Sequence, residues 1–304
     1  MFCLNKKQLT INDIEKAANF GGQDIFLLVP FLSEELYYKA LVPKICNHNE
    51  SLYTKWFFTG KNLLQEKELA TCQYSIVPFK FDIEDQRINT LCENAKTHNK
   101  TVLAFYTDDT TETFNLPDNL ILFRTSVNKK TLQTNERVMP ALHPDHFSGF
   151  TEYKNSIGFC GQLTHLRHNI ITKLNELNLP TDFIYRQGFW APEVGSKIKA
   201  RKEYYKNLLS NKYALCIRGS GNFSFRFYEA LCFGRIPILI DTDTTLPFSS
   251  SIDWNKHIIC IKQENLHTLP DILEQDNRSM ADNRKLWEEY FSIEGYAQKF
   301  IKDI

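Results

Sequence analysis

Short apolar runs alternate along the chain with segments of helical periodicity, the pattern of α/β layers built on parallel strands. In the first half the spacing predicts a helix over 11–20, a strand over 24–29 stopped by Pro30, and a helix over 33–45 opened by Ser33. Strands are expected at 53–58, 74–78, 101–106 and 120–124, with a helix over 83–98. Pro140, His143, Pro144 and Gly149 then punctuate a stretch without periodicity, which places a boundary between domains 1–148 and 149–304.

The second half restarts the same grammar. A strand at 156–160 ends in Gly161, a helix covers 167–177, and a strand lies at 183–185. A charged helix over 197–209 leads to a strand at 213–217, a loop, a helix over 224–233 and a strand at 236–240. The last strand is expected at 257–261, with helical segments from 265 onward. Two successive α/β halves imply a cleft, and in such sheets ligands sit beyond the carboxyl ends of the strands. The last helix is expected to pack back on the first domain.

Composition narrows the class. The 304 residues are 42% hydrophobic and 24% charged, and a chain of this length buries about 75% of its unfolded surface. Lys and Arg number 36, as do Asp and Glu, so no global field exists to hold nucleic acid or an anionic bilayer. The N-terminal residues lack the pattern of a secretory signal, and no run approaches the ~18 apolar residues of a membrane span. Eight cysteines, at 3, 46, 72, 92, 160, 216, 232 and 260, show no Cys-x-x-Cys spacing. They read as small buried hydrophobes in a reducing compartment, and the expected location is cytoplasmic. Asn-x-Ser sequons at Asn49, Asn222 and Asn277 arise by chance without an export signal.

The stretch richest in chemistry is 218–237, which runs loop, short helix, Gly stop, strand. Gly219 and Gly221 allow close backbone approach, Ser220 lies between them, and Asn222 or Ser224 can cap the helix. The amides of the first turn then offer an anion the positive end of the helix dipole. Arg218 and Arg226 add guanidinium groups suited to phosphate. Each charge-assisted bond contributes ~1.5–3 kcal/mol and the dipole up to ~2, which together approach the ~6–8 kcal/mol of a micromolar-range ligand. Phe223, Phe227, Ala230 and Leu231 share the face expected to meet the core. Arg226 and Glu229 fall on another side, where Glu229 is positioned to accept hydrogen bonds from ribose hydroxyls. On spacing alone, an i,i+3 surface pair with a glycine turn remains the alternative.

These residues resemble a family. Arg218-Gly-x-Gly-x-x-Ser224-x-Arg226-Phe-x-Glu229-Ala, then Gly234-x-Ile-Pro237 and Leu246-Pro247-Phe248, is similar to the signature of exostosin-like glycosyltransferases. Residues 70–81, with Val77-Pro78-Phe79, are similar to the family's N-terminal strand. Phe159-Cys-Gly161-Gln with Arg167 is similar to the first strand-loop-helix of its second domain. The resemblance implies an α/β GT-B fold: two Rossmann-like domains with parallel sheets facing an interdomain cleft. It also implies transfer of a sugar, with inversion, from a nucleoside diphosphate donor, UDP-linked, to a glycan acceptor. Arg218 and Arg226 would face the diphosphate, Ser224 and the loop amides would assist, and Glu229 would hold the ribose. Animal members carry a membrane anchor and lumenal disulfides, and neither is expected here. The expectation is therefore a microbial or viral enzyme of surface polysaccharide synthesis, with peripheral membrane contact left open.

Other signals are weaker. Asp241-Thr-Asp243 could mimic a metal-holding Asp-x-Asp, but two arginines and a helix N-terminus already neutralise a diphosphate, so no divalent metal or other cofactor is expected beyond the nucleotide sugar. Inversion needs a base, and Asp109, then Asp82, are the favoured catalytic candidates, ahead of Asp108, Glu34 and Glu35. Solvated loop acids and helix caps are their other reading. Arg124-Thr-Ser126 and Asn135-Glu136 could close a cleft on the donor or serve as loop and cap residues. The basic run from Lys197 to Lys206 could meet anionic lipid or be a solvated helix face. Trp56, Trp190 and Trp254 could stack on sugars or belong to the core. The competing functions are an inactive glycan- or nucleotide-binding protein of the same fold and a sugar-nucleotide epimerase, which donor turnover without acceptor would reveal.

Overall fold

The computed structural model describes residues 2–4, 68–77, 79, 81–188, 191–300 and 304. The segments expected over 11–20, 24–29, 33–45 and 53–58 lie outside the described residues, as do Glu34, Glu35, Trp56, Pro78 and Trp190. The chain divides into two units. One comprises Met1–Pro144, Thr245–Pro247 and Ser292–Ile304; the other comprises Asp145–Thr244 and Phe248–Phe291. The change of unit therefore falls at Pro144, a few residues before the position expected from punctuation, and the last helical segment, Ile293–Lys299, belongs to the first unit.

The first unit holds five parallel strands in the order β1-β2-β3-β4-β5: Phe2–Leu4, Tyr74–Ile76, Thr101–Tyr106, Leu120–Arg124 and Glu136–Val138. Helix α1, Gln86–Lys96, starts later than the apolar spacing suggests because the Asp85 carboxylate accepts the Arg87 N–H and stops the chain from winding earlier. Its buried Ile88, Leu91, Cys92 and Ala95 follow helical spacing and pack on Val102, Ala104, Leu120 and Leu122 of the sheet. The Phe300 ring meets Phe105 and Phe123 at 5.8 and 5.6 Å.

The second unit is built from β6 (Lys154–Gln162), α2 (His165–Asn175), β7 (Thr181–Arg186), α3 (Lys197–Ser210), β8 (Asn211–Cys216), α4 (Phe225–Cys232), β9 (Ile236–Ile240) and β10 (Ile259–Ile261). All five strands are parallel, in the order β10-β9-β8-β6-β7. The chain runs from β6 outward to β7, then crosses by α3 to the other side of β6. Strand order reverses between β6 and β8, and such a switch point is where an open parallel sheet binds its ligand. Isoleucines 157, 217, 236, 238 and 240 pack with α2's Ile170, Ile171 and Leu174 to form the core beneath this point. The α/β class expected from the sequence is present in both units.

At the amino end of β8 the wholly buried Asp276 carboxylate is bound by Arg278, by Lys212 at 3.2 Å and by the Tyr213 hydroxyl at 3.0 Å. Burial alone would raise its pKa, but these hydrogen bonds together hold it below the ordinary 3.8. A carboxyl lowered on folding contributes stability above its unfolded pKa that is lost as pH falls through the native value. Asp276→Asn should therefore lower the melting temperature at pH 6, and the gap from wild type should narrow as melts are repeated toward pH 2.

Candidate functional site

The ladder between β6 and β8 ends at Gly158 and Ala214, so beyond that point the two strands are paired only with their outer neighbours, β7 and β9, and not with each other. Arg167, in the first turn of α2, spans the gap. Its guanidinium donates to Gln162 O at 3.0 Å on one side, and to Ile217 O at 3.1 Å and Arg218 O at 3.2 Å on the other. A side-chain carbon at Gly161 or Gly219 would stand 3.7 or 3.6 Å from this group. Gly161, Arg167, Arg218 and Gly219 are thus brought together at the switch point. Burial lowers the Arg167 pKa, and the nearby Arg226 charge adds to this, so two cations share one region. Arg218 is half-buried and donates to Ser220 O at 3.4 Å, and Ser220 is exposed.

The loop that follows β8 is tied to the loop that follows β9. Asn222 Oδ1 accepts from Thr242 Oγ1 at 2.7 Å and Thr244 Oγ1 at 3.3 Å, and its Nδ2 donates to Asp243 O at 3.3 Å. Asn222 was expected at a cap or a ligand; it is a buried brace between loops, with Gly221 buried beside it. Asp241 Oδ1 accepts the amides of Asp243 and Thr244, closing an Asx turn in which Asp243 takes φ +64°. Among the described residues no three His, Cys, Asp or Glu side chains gather as a metal-holding group.

Helix α4 opens at Ser224, whose side chain makes no cap bond to the first-turn amides. It closes by a Schellman arrangement in which Gly234 donates to Leu231 O at 2.9 Å and Arg235 to Ala230 O at 2.7 Å. Every residue from Arg226 to Cys232 is buried. The spacing argument thus holds for Phe227, Ala230 and Leu231, and fails for Arg226 and Glu229, each only 6% exposed. The helix is covered on both sides, with α3 lying over the face read as open. Tyr204 OH donates to Glu229 Oε2, Arg201 pairs with Glu229 Oε1 at 3.5 Å, and Arg226 Nη2 donates to Asn207 Oδ1 at 2.7 Å beneath the Tyr204 ring. Burial, then the Glu229 charge, hold the Tyr204 phenol protonated. Arg226 Nε and Nη1 are buried without a partner.

Residues 124–275, half of the chain, match the family profile described as the Exostosin GT47 domain. The chain belongs to the exostosin GT47 family. Exostosin-1 of Drosophila melanogaster is 40% identical over 97 residues, which is 30% of this chain and 13% of that protein. The Exostosin-1 homolog of Caenorhabditis elegans is 36% identical over 78 residues, 26% of this chain and 20% of that protein. A protein of Oryza sativa subsp. japonica named "Probable glucuronosyltransferase" is 34% identical over 70 residues, 23% of this chain and 16% of that one. The alignments thus span at most a fifth of these relatives' lengths. The solved structure of TarM superposes with a TM-score of 0.42 at 12% identity, over 75% of this chain and 53% of that one.

The exostosin match takes in all of the 218–237 signature and stops short of the acids favoured as a base. Asp82 is exposed, and its Oδ1 accepts the Glu84 N–H at 3.1 Å; Asp109 is exposed, and its main-chain carbonyl accepts Ser126 Oγ at 2.8 Å. Both follow strands of the first unit. Tyr106, at the end of β3, is pushed up to about 12 by burial and by Asp108, with Asp82 adding. Arg124 and Glu136, read either as closing a cleft on the donor or as loop and cap residues, are paired with each other inside that unit; Arg124 ends β4 as expected, and Glu136 opens β5, too short at three residues to show a period. Trp254 is core, stacked on Phe291 at 5.7 Å. In the basic run, Lys197, Lys199, Lys202 and Lys206 are exposed.

Tyr204 and Asn207 were not singled out from the sequence. The signal was present, since an aromatic and an amide interrupt a run of cations at positions 204 and 207, three apart on one helical face.

Proposed function

We propose that this exostosin-family protein is an inverting glycosyltransferase that takes a sugar from a nucleoside diphosphate donor, UDP-linked, to a glycan acceptor in surface polysaccharide synthesis. The second unit binds the donor. The observation that carries this reading is the pair of guanidinium groups beside the switch point. Arg167 spans the crevice, and Arg226 is buried with two donor atoms lacking partners at the start of α4. An orphaned buried donor costs free energy, and an anion removes that cost. A pyrophosphate set against the first turn of α4 meets uncapped amides and the helix dipole as well.

In this reading Arg218, Arg226 and the loop amides stabilise the departing nucleoside diphosphate, which carries the charge that grows as the glycosidic bond breaks. Glu229 accepts the ribose hydroxyls by exchanging them for Tyr204 and Arg201. A carboxylate of the first unit, Asp109 or Asp82, takes the proton of the attacking acceptor hydroxyl. Calorimetric titration with UDP tests the donor assignment. Wild type should bind, Arg226→Ala should lose at least roughly tenfold in affinity through its charge-assisted bonds, and Glu229→Ala should lose less. Unchanged affinity in both variants rejects the assignment.

A further inference from the structure

Four arginines are buried among the described residues, and two of them are matched by a carboxylate. Arg124 has Glu136 at 2.6 Å, and Arg284 has Asp145 at 2.7 Å. Arg226 forms no salt bridge among the described residues; its neighbour Glu229 pairs with Arg201 instead. Arg235 also lacks a carboxylate, but it stands at the amino end of β9, away from the carboxyl-end loops, and reaches Thr151 Oγ1 and Met280 Sδ. The Arg226 charge bears on Arg167 and on Cys216, the last residue of β8.

What Arg226 meets is an amide. Asn207, 2% exposed, accepts through Oδ1 because its Nδ2 donates to Asp182 O at 2.7 Å, which fixes which end of the amide faces the guanidinium. The Asn207 carbonyl accepts from Asn211 Nδ2 at 2.6 Å, and Asn211 is bound in turn to Ser156 Oγ at 2.5 Å and Asp182 Oδ2 at 2.9 Å. Room for this brace depends on Gly158, where a Cβ would stand 2.7 Å from Asn211 Nδ2 and 3.1 Å from Asn207 O. A rigid polar chain thus ends in a neutral acceptor on a buried cation.

We propose that Asn207 is a positioning residue of the donor site: it holds the Arg226 guanidinium through one hydrogen bond without neutralising it, so that its charge and its unpaired N–H groups serve the donor's pyrophosphate. The inference rests on the donor reading above and adds the reason an amide occupies position 207. An aspartate there would cancel the guanidinium's charge, and it would set a carboxylate oxygen against the Asp182 carbonyl where the amide now donates.

The test is UDP titration and thermal melting of wild type, Asn207→Ala and Asn207→Asp. At a temperature where melting shows both variants folded, Asn207→Asp should bind UDP more weakly than Asn207→Ala, with a loss of roughly tenfold or more from wild type. Asn207→Ala, which keeps the charge but not its anchor, should lose less than about tenfold. A merely structural role leaves the folded variants with the same affinity whatever the charge at 207, so UDP affinity in Asn207→Asp equal to that of wild type or of Asn207→Ala overturns the proposal. Should Asn207→Asp fail to fold, Asn207→Ala decides: a measurable loss of UDP affinity smaller than about tenfold supports the inference, and affinity equal to wild type, or none in a folded variant, overturns it. Wild type that binds no UDP overturns the donor reading, and this inference with it. UDP binding that ignores the charge at 207 overturns the inference alone.

Discussion

Arg124→Ala is expected to remove about 3–5 kcal/mol from the stability of the first unit, seen as a lowered urea midpoint, because it strands the buried Glu136 carboxylate. Arg124 and Glu136 are each 2% exposed. The guanidinium joins three parts of the unit. It pairs with Glu136 on β5, and donates to Glu112 O at 2.8 Å and Thr110 O at 2.9 Å in a segment without regular structure. Glu136 uses its second oxygen to accept the Gln133 amide at 3.0 Å. Removing the cation leaves a carboxylate with too few donors, which costs more than the pair itself contributes. The double variant Arg124→Leu with Glu136→Leu should therefore lose less than the sum of the single losses. Additive losses would show that the two charges do not act as a unit.

Gly234→Ala should be nearly as damaging in the second unit. The residue sits at φ +66°, and a Cβ there would stand 2.7 Å from Met280 O and 2.7 Å from the Phe150 ring. The left-handed backbone costs a non-glycine residue about 1–2 kcal/mol, and crowding against a main-chain carbonyl adds about 1–3. A loss of about 2–5 kcal/mol follows. Gly195 makes a control, since it is also left-handed, at φ +71°, but has nothing within 4 Å of its Cβ position. Gly195→Ala should show the backbone cost alone, and equal losses at both positions would refute the crowding argument.

Strands were legible where runs such as 236–240 are wholly buried and lie between turn residues such as Gly234 and Asp241, and the signature loop was legible in its glycines. Sheet order was not. Parallel partners are far apart in sequence, and nothing in the local period of β6 or β8 says that they are neighbours across a switch point. The same limit explains Arg226 and Glu229. Their helical face was read correctly relative to Phe227 and Ala230, but what covers that face is α3, some twenty residues earlier. Periodicity reports which residues share a side of a helix and is silent on whether that side meets water. Arg167 was picked out by resemblance, yet its three carbonyl partners lie at the end of β6 and just after β8, places that only the folded sheet brings together.

That guanidinium has a mechanical consequence. Where β6 and β8 part, a planar group bonded on both edges sets the distance between them, as a spacer bar does between two rails. The strand tips of the second unit are thus held at one separation, and just beyond them Asn222 ties the loop after β8 to the loop after β9.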